Sequence, residues 1–193
     1  MQKEKVLFSV VYDCMLFLQG LISESGIAVS CFELFENGIV GLFISEEVLA
    51  EIQDVLTRPK LQAKYPRLTN DRAEKLIEIL RTKATLIKNI PSVFDYKRDP
   101  KDEKYINLAF ASGADYIVTR DNDLLDLMTG YDLESKEFRQ RFRLLKIISR
   151  EDTFTEARIL SFSSRTRANS AATFSILIGF SNSLRLCATD DKY

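Results

Sequence analysis

The sequence predicts an α/β fold, specifically a three-layer α/β/α sandwich around a central parallel sheet. Short apolar runs rich in β-branched residues alternate along the chain with longer stretches of helical periodicity. The runs lack polar alternation, which is typical of strands buried on both faces of a parallel sheet. With 193 residues, 46% of them hydrophobic and 28% charged, the chain is long enough for one ordinary domain.

The N-terminal part is predicted to form a strand, a helix and a second strand. Residues 6–12 (VLFSVVY) predict the first strand because they are apolar and partly β-branched. A helix is predicted over residues 29–36, and the Asn-Gly pair at 37–38 supplies its C-terminal cap. Residues 40–44 (VGLFI) then predict the second strand.

The next helix has sequence signals at both ends. Ser45 is a suitable N-cap, and Glu46 and Glu47 complement the helix dipole in the first turn. The helix is predicted to reach about Leu56, because the segment at Pro59 disfavours further helical conformation.

The middle of the chain predicts two further helices and a strand. Residues 71–84 carry apolar side chains at helical spacing, and residues 86–90 predict a third strand. Asp99 is predicted to be an N-cap with Pro100 at the first helical position, and this helix should end at Gly113.

The last predicted elements are two strands and a short helix. Residues 116–119 (YIVT) predict a buried strand, residues 124–128 a short helix before Gly130, and residues 144–148 a final strand. Strands that alternate with helices in this way indicate a parallel sheet with right-handed crossovers.

The composition changes near the C-terminus. Residues 161–183 are rich in Ser, Thr, Ala and Asn and show no convincing period. We therefore expect one domain over residues 1–154 and a C-terminal extension over residues 155–193. The extension is expected to be either disordered or folded against a partner.

Bulk properties exclude several classes of protein. The net charge of −1 gives no global sign of a nucleic-acid-binding surface. Cys14, Cys31 and Cys187 are widely spaced and support neither a disulfide framework nor a zinc motif. A secretory signal is not indicated, and no apolar stretch approaches the roughly 20 residues that cross a bilayer. We expect a cytoplasmic protein without a membrane segment.

Four acidic residues lie just beyond apolar runs or beside apolar helix faces. They are Asp13, Glu51, Asp102 and Asp121. The chain has no histidine, so a site built from them offers only oxygen ligands, which suits Mg²⁺ or Mn²⁺. Clustered carboxylates repel one another unless a cation compensates their charge. Such a cation can activate water and neutralise charge on a phosphodiester, so we expect a metal-dependent reaction.

The position of each acid has a functional and an ordinary structural interpretation. Asp13 and Asp121 each follow a predicted buried strand, where ligands bind in α/β sheets, although turn or cap residues also occur there. Asp102 is either a first-turn acid or part of the inward stripe of its helix. That stripe continues through Ile106, Ala109, Phe110 and Gly113.

Glu51 borders the apolar face of its own helix, between Val48 and Val55. Asp99 is either a helix cap or part of the site, and Asp123 either joins Asp121 or only starts the next helix. Basic residues that could bind flanking phosphates are Arg98, Lys101, Lys104 and Arg120, although scattered basic residues are commonly just solvated.

Three segments have a recognisable pattern: VVYDCMLFLQGL, SEEVLAEIQDVLTRPK and RDPKDEKYINLAFASGADYIVTRDNDLL. Together they resemble the PIN domain, specifically the PIN-family toxins of bacterial toxin-antitoxin pairs. The resemblance covers about residues 5–154. Its last two blocks are the specific ones, since the R-D-P-x-D start and the strand ending in T-x-D-x-D-L-L match in order.

The resemblance implies a parallel sheet sandwiched by helices and Mg²⁺-dependent or Mn²⁺-dependent endoribonuclease activity. It assigns the acidic site to Asp13, Glu51, Asp102 and Asp121, and the metal ligands to Asp13, Asp102, Asp121 and Asp123. Asp99 and Thr119 are implied as supporting residues. It also implies an RNA substrate, a cognate antitoxin protein and commonly a homodimer.

The chain departs from the family pattern directly after Asp13. Cys14 and Met15 stand where the family usually carries Thr or Ser and then Asn, and neither replaces the amide of Asn. A second hypothesis is therefore a degenerate module that keeps the fold and binds RNA or a protein partner without cutting.

A third class is a phosphoryl-transfer or receiver-type α/β protein, which also gathers aspartates at strand ends. The segment that follows Asp13 lacks the second aspartate of haloacid-dehalogenase-type phosphatases. Arg150 is a poor substitute for the lysine that a receiver domain requires after its last strand.

Overall fold

The computed structural model describes residues 8–153 and centres on a five-stranded, all-parallel sheet. The strands are β1 (Phe8–Tyr12), β2 (Val40–Ile44), β3 (Thr85–Leu86), β4 (Tyr116–Thr119) and β5 (Lys146–Ser149). Their order across the sheet is β3-β2-β1-β4-β5. Together with the helices they form the predicted three-layer α/β/α fold, which is confirmed.

The centre of the sheet determines where a ligand would bind. β1 pairs with β2 on one side and with β4 on the other, and Val10 is aligned with both Leu42 and Tyr116. The strand order reverses at β1, and ligands of parallel sheets bind beyond the carboxyl ends of the strands at such a point. Asp13 follows β1 directly, and Asp121 lies two residues after the end of β4.

The two central strands are rigidly held by the core. Val10, Val11, Ile117 and Val118 are 0% exposed, as expected for strands covered on both faces. Burying one such aliphatic side chain contributes about 1.5–3 kcal/mol. The residues that follow β1 and β4 are therefore attached to a stable support.

Eight helices are bounded in the described part of the chain, and residues 150–153 are helical as well. They are α1 (Cys14–Ile22), α2 (Ile27–Glu36), α3 (Glu46–Thr57), α4 (Pro59–Lys64), α5 (Asn70–Lys83), α6 (Glu103–Ser112), α7 (Asn122–Thr129) and α8 (Leu133–Arg141). Helices α2, α3, α5 and α7 agree with the predictions to within about two residues. Ser45 caps α3 as expected, since its Oγ accepts a hydrogen bond from the Val48 N–H at 3.1 Å.

The start of α6 differs from the prediction. The helix begins at Glu103 with Asp102 in the N-cap position, so the predicted cap at Asp99 and first turn at Pro100 are wrong. Asp99 instead closes a turn before the helix, accepting the Lys101 N–H on its Oδ1 and the Asp102 N–H on its carbonyl. The end at Gly113 is confirmed, and its φ of 66° is the left-handed conformation that glycine adopts readily.

Several other expectations need correction. The third strand ends at Leu86 rather than residue 90, and the last strand runs over Lys146–Ser149 rather than residues 144–148, with Leu144 91% exposed. Phe110 is not on the inward stripe of α6, because it is 50% exposed and its ring packs against Phe142. Helices α1, α4 and α8 were not predicted from the sequence. In α1 nearly every position is apolar, so the sequence shows no alternation of apolar and polar faces from which a helix could be predicted.

No single helix among residues 8–153 has the length and apolar character to cross a membrane. Only α1 and α2 taken together pass on length and composition, and they are bent by 104° relative to each other. The predicted extension over residues 155–193 lies outside the described residues.

Candidate active site

The carboxyl ends of β1 and β4 open into a cleft of about 260 Å³. The four acids singled out from the sequence, Asp13, Glu51, Asp102 and Asp121, all line it. The other lining residues are Cys14, Met15, Gln19, Tyr105, Thr119 and Arg120. We call this feature the acidic cleft.

Asp13 lies at the floor of the acidic cleft and is 5% exposed. Its Oδ1 accepts the Leu16 N–H at 2.8 Å, which caps α1, and its Oδ2 accepts the Thr119 hydroxyl at 2.5 Å and the Arg120 N–H at 3.2 Å. Burial raises the pKa of Asp13 despite these hydrogen bonds, and the charge of Asp121 raises it further. The side chain is thus held in one orientation by α1 and by the end of β4.

Thr119 joins the two strand-end aspartates. Its side chain is 0% exposed, and its Oγ donates to Asp13 while accepting the Asp121 N–H at 2.9 Å. Asp121 in turn caps α7, since its Oδ1 accepts the Asp123 N–H at 2.8 Å. The structure thus confirms that Asp13 and Asp121 are helix caps, and these caps fix the positions of both side chains in the lining of the cleft.

Asp102 has no comparable structural role. It occupies the N-cap position of α6, yet its side chain makes no capping hydrogen bond. Its Oδ2 is buried and has no hydrogen-bond partner among the described residues. Burial, followed by the charges of Asp121, Asp99 and Asp13, raises the pKa of Asp102 to about 7. A buried carboxylate oxygen without a partner is costly, so this atom fits the position of a ligand to an external group.

Glu51 borders the acidic cleft from α3, as its helix position predicts. Its Oε1 lies 3.0 Å from the Nζ of Lys104, and its Oε2 accepts the Tyr105 hydroxyl at 2.5 Å. The same hydroxyl accepts the Cys14 N–H at 3.1 Å. Both oxygens of Glu51 are therefore engaged by groups of α6.

The two residues after Asp13 are apolar members of the cleft wall. Burial is the main cause that raises the pKa of the Cys14 thiol to about 11, so the thiol stays protonated near neutral pH and is a poor nucleophile. Met15 is 43% exposed. Gln19, one turn later on α1, is an amide-bearing side chain in the cleft, and its Oε1 accepts a hydrogen bond from Arg150.

Other candidates from the sequence lie at the periphery. Asp123 and Arg98 do not line the acidic cleft. They form an ion pair with each other, with 3.5 Å between the Arg98 Nη1 and the Asp123 Oδ1. Asp99 supports the turn before α6 and contributes to the electrostatics of Asp102. Lys101 is exposed, whereas Arg120 is exposed and also lines the cleft.

Tyr105 is one of two cleft residues that could not be singled out from the sequence, the other being Gln19. Tyr105 is 1% exposed and lies three residues after Asp102 on the buried face of α6. The hydroxyl of a tyrosine on the buried face of a helix requires a hydrogen-bond partner. This requirement is the sequence feature that could have indicated a polar neighbour for Tyr105. Met15 and Gln19 are four residues apart and share a face of α1, but no helix was predicted there.

The chemistry of the acidic cleft fits a hard divalent cation. Carboxylate oxygens are the ligands that Mg²⁺ and Mn²⁺ prefer, and a cation would relieve the repulsion and burial that affect Asp102. In residues 8–153, however, no three or more Cys, Asp or Glu side chains are already arranged to hold one ion. The acids share the cleft without forming a preformed ligand cage.

Fold and site together define an α/β protein with an acidic cleft at the point where the strand order of a parallel sheet reverses. The PIN domain family matches residues 9–123, which contain the whole cleft. The chain belongs to the PIN domain family, whose members are typically nucleases and commonly use divalent metals.

A relative supports the same family assignment. The uncharacterized protein MJ1680 of Methanocaldococcus jannaschii is 36% identical over 127 residues, which cover 64% of this chain and 77% of that protein. No solved structure matches the chain significantly.

Proposed function

We propose that the protein is a metal-dependent endoribonuclease that hydrolyses RNA phosphodiester bonds at the acidic cleft. The observation that supports this most strongly is Asp102, whose buried Oδ2 has no partner in the described region and faces the charges of Asp121 and Asp13. No structural role explains this arrangement, whereas a cation held for catalysis does. Membership of a family of nucleases supports the same reaction class.

The proposed cation is Mg²⁺ or Mn²⁺, and its proposed ligands are Asp13, Asp102 and Asp121. Asp123 is left out of this set because its carboxylate is paired with Arg98. The cation would supply a Lewis acid that activates water and offsets the charge developing on the phosphodiester.

The chain itself would supply orientation and phosphate binding. Thr119 and the Arg120 N–H hold the carboxylate of Asp13, and the Thr119 hydroxyl also holds the backbone of Asp121. The Arg120 side chain is exposed at the edge of the cleft, so it is positioned to bind a phosphate next to the one that is cut. Met15 offers an apolar surface against which a base can pack.

The biological role that we propose is that of the toxin in a toxin-antitoxin pair. This proposal depends on the resemblance of the sequence to PIN-family toxins. It includes a cognate antitoxin that binds the nuclease, a homodimer, and action in the cytoplasm. Co-expression with the product of an adjacent small gene, followed by co-purification and a growth assay, would test it.

A second candidate function is a PIN module that binds RNA or a protein without cutting. Cys14 and Met15 favour it, since neither side chain offers a strong hydrogen-bonding group beside Asp13. Metal binding with no cleavage of any RNA would favour this second function.

The decisive experiment measures cleavage of a mixed pool of structured and single-stranded RNA with Mg²⁺ or Mn²⁺, with and without EDTA. We expect cleavage that EDTA abolishes, and a loss of at least about 100-fold in Asp13→Asn and Asp121→Asn, because each removes a charged ligand. Asp54→Asn is the matched control, since Asp54 is a 65% exposed aspartate that pairs only locally with Arg58.

Circular dichroism melts of all variants separate loss of function from loss of fold. Asp121→Asn is the cleaner variant, because Asp13 also accepts three hydrogen bonds in the core. Full activity of Asp121→Asn, or equal loss in Asp54→Asn, would show that the acidic cleft is not the active site.

A further inference from the structure

A cationic side chain, that of Lys104, lies next to the acidic cleft and is paired with one of its four acids. The Nζ of Lys104 lies 3.0 Å from the Oε1 of Glu51, and the two side chains are only 14% and 25% exposed. The ammonium also lies 5.3 Å from the centroid of the Tyr105 ring. Ion pairs that are partly withdrawn from solvent interact more strongly than exposed surface pairs.

The second oxygen of Glu51 is fixed as well. Its Oε2 accepts the Tyr105 hydroxyl at 2.5 Å, and that hydroxyl is anchored by the Cys14 N–H at 3.1 Å. Tyr105 is 1% exposed, so its ring cannot turn away without disturbing the core. Glu51 is thus neutralised and oriented by α6, whereas Asp102 has an oxygen without a partner in the described structure.

We propose that Lys104 holds Glu51 out of the cation site, so that the cleft binds a single divalent cation through Asp13, Asp102 and Asp121 rather than two. A second cation beside Glu51 would have to displace the ammonium and overcome its repulsion. Lys104 is then a positioning residue that determines metal stoichiometry. The inference rests on the proposed metal-dependent function.

Titration calorimetry and electron paramagnetic resonance with Mn²⁺ alone test the inference on the full chain. We expect the wild type to bind a single ion. Glu51→Gln should keep that stoichiometry, and its affinity should fall by no more than about three- to tenfold, the effect of removing one nearby unit charge from a group that is not a ligand. We expect Lys104→Met to bind a second ion, because Glu51 then lacks its ammonium partner. Tighter binding of a single ion would reflect only the loss of one nearby positive charge and would count against the inference.

Lys101→Met is the matched control, because it removes the same charge from an exposed position three residues earlier. It should leave both stoichiometry and affinity as in the wild type. Thermal melts check folding, and Glu51→Gln tests the inference independently if Lys104→Met does not fold.

Two ions in the wild type, loss of the ion or a weakening well beyond about tenfold in Glu51→Gln, or a single ion in a folded Lys104→Met would each overturn the inference and leave the nuclease proposal standing. No Mn²⁺ binding by the wild type would overturn both. The two failures are therefore distinguishable from the same titrations.

Discussion

The acidic cleft and a second group of carboxylates differ in whether the protein itself supplies partners that compensate their negative charge. The second group, which we call the Arg98 cluster, consists of Arg98 with Asp123, Asp126 and Asp132. In this cluster the guanidinium approaches the three carboxylates at 3.5, 3.1 and 3.5 Å. In the cleft, by contrast, the Oδ2 of Asp102 is buried without a partner in the described structure.

The proton affinities of two aspartates illustrate the difference. The Ser135 N–H and hydroxyl, together with the charge of Arg98, lower the pKa of Asp132 to about 2. Burial and neighbouring carboxylates raise the pKa of Asp102 to about 7. Identical side chains are thus stabilised as anions in one cluster and destabilised in the other, which teaches that clustering of acids alone does not identify a site. The absence of internal compensation is what distinguishes the cleft from the cluster.

The largest expected effect within this comparison comes from breaking the link between the two strand-end aspartates. Thr119→Val keeps the shape of the buried side chain but leaves Asp13 without its hydroxyl donor and the Asp121 N–H without its acceptor. We expect a loss of about 1–3 kcal/mol in the free energy of unfolding, the cost of unsatisfied buried groups. Urea denaturation measures it.

A positioning role of Thr119 predicts a second effect besides lost stability. Mn²⁺ affinity should fall by about tenfold, equivalent to roughly 1.4 kcal/mol, because the orientation of Asp13 is lost. Thr153→Val is the matched control, since Thr153 is also 0% exposed but, among residues 8–153, donates to the Ser149 carbonyl and not to a cleft acid. Equal Mn²⁺ affinity in the two variants would limit Thr119 to a structural role.

The parts of the fold and site that depend on local sequence could be predicted. β2 and β4 follow from continuous apolar runs, and Asp13 and Asp121 reach the cleft because parallel strands end at one edge of the sheet. The start of α6 could not be placed correctly, because an Asp-Pro pair suits both a helix cap and the turn that precedes it.

The contacts that organise the charges could not be read from the sequence. The Tyr105 hydroxyl reaches Glu51 across 54 positions of the chain, and the contact depends on how α3 packs on α6. Arg98 was predicted as a phosphate-binding residue, yet its partners come from α7 and the start of α8. Charge compensation is a tertiary property, and residue spacing alone does not reveal it.

The second expected effect is a difference in how stability responds to pH. Because the pKa of Asp102 is raised from 3.8 to about 7 on folding, the folded protein binds more protons than the unfolded chain between about pH 4 and 7. Stability of the metal-free protein should therefore fall as pH rises through this window. At about 1.4 kcal/mol per pKa unit, reduced by solvent screening, Asp102 accounts for about 1–2 kcal/mol of the fall.

Urea denaturation of the wild type and Asp102→Asn from about pH 4.5 to 7.5, without divalent ions, measures this difference. The variant should show a flatter profile, because its amide does not titrate. Excess Mn²⁺ should stabilise the wild type most at the upper end of the range, where Asp102 is ionised. Parallel profiles for the two proteins would mean that Asp102 is compensated much as Asp132 is.

The smallest expected effect concerns the Arg98 cluster and tests whether the two groups of acids are independent. Arg98→Met leaves three exposed carboxylates near one another, and we expect a small loss in the free energy of unfolding, since exposed pairs contribute little individually. The loss should shrink in about 1 M NaCl, where screening weakens the remaining repulsion. Arg58→Met, which breaks a single exposed pair with Asp54, is the control and should lower the free energy of unfolding by less.

Mn²⁺ affinity should not change in Arg98→Met, because the charges of the cluster are compensated within the cluster. A marked change in the Mn²⁺ affinity of Arg98→Met alone would show that the cluster and the acidic cleft act as one electrostatic unit.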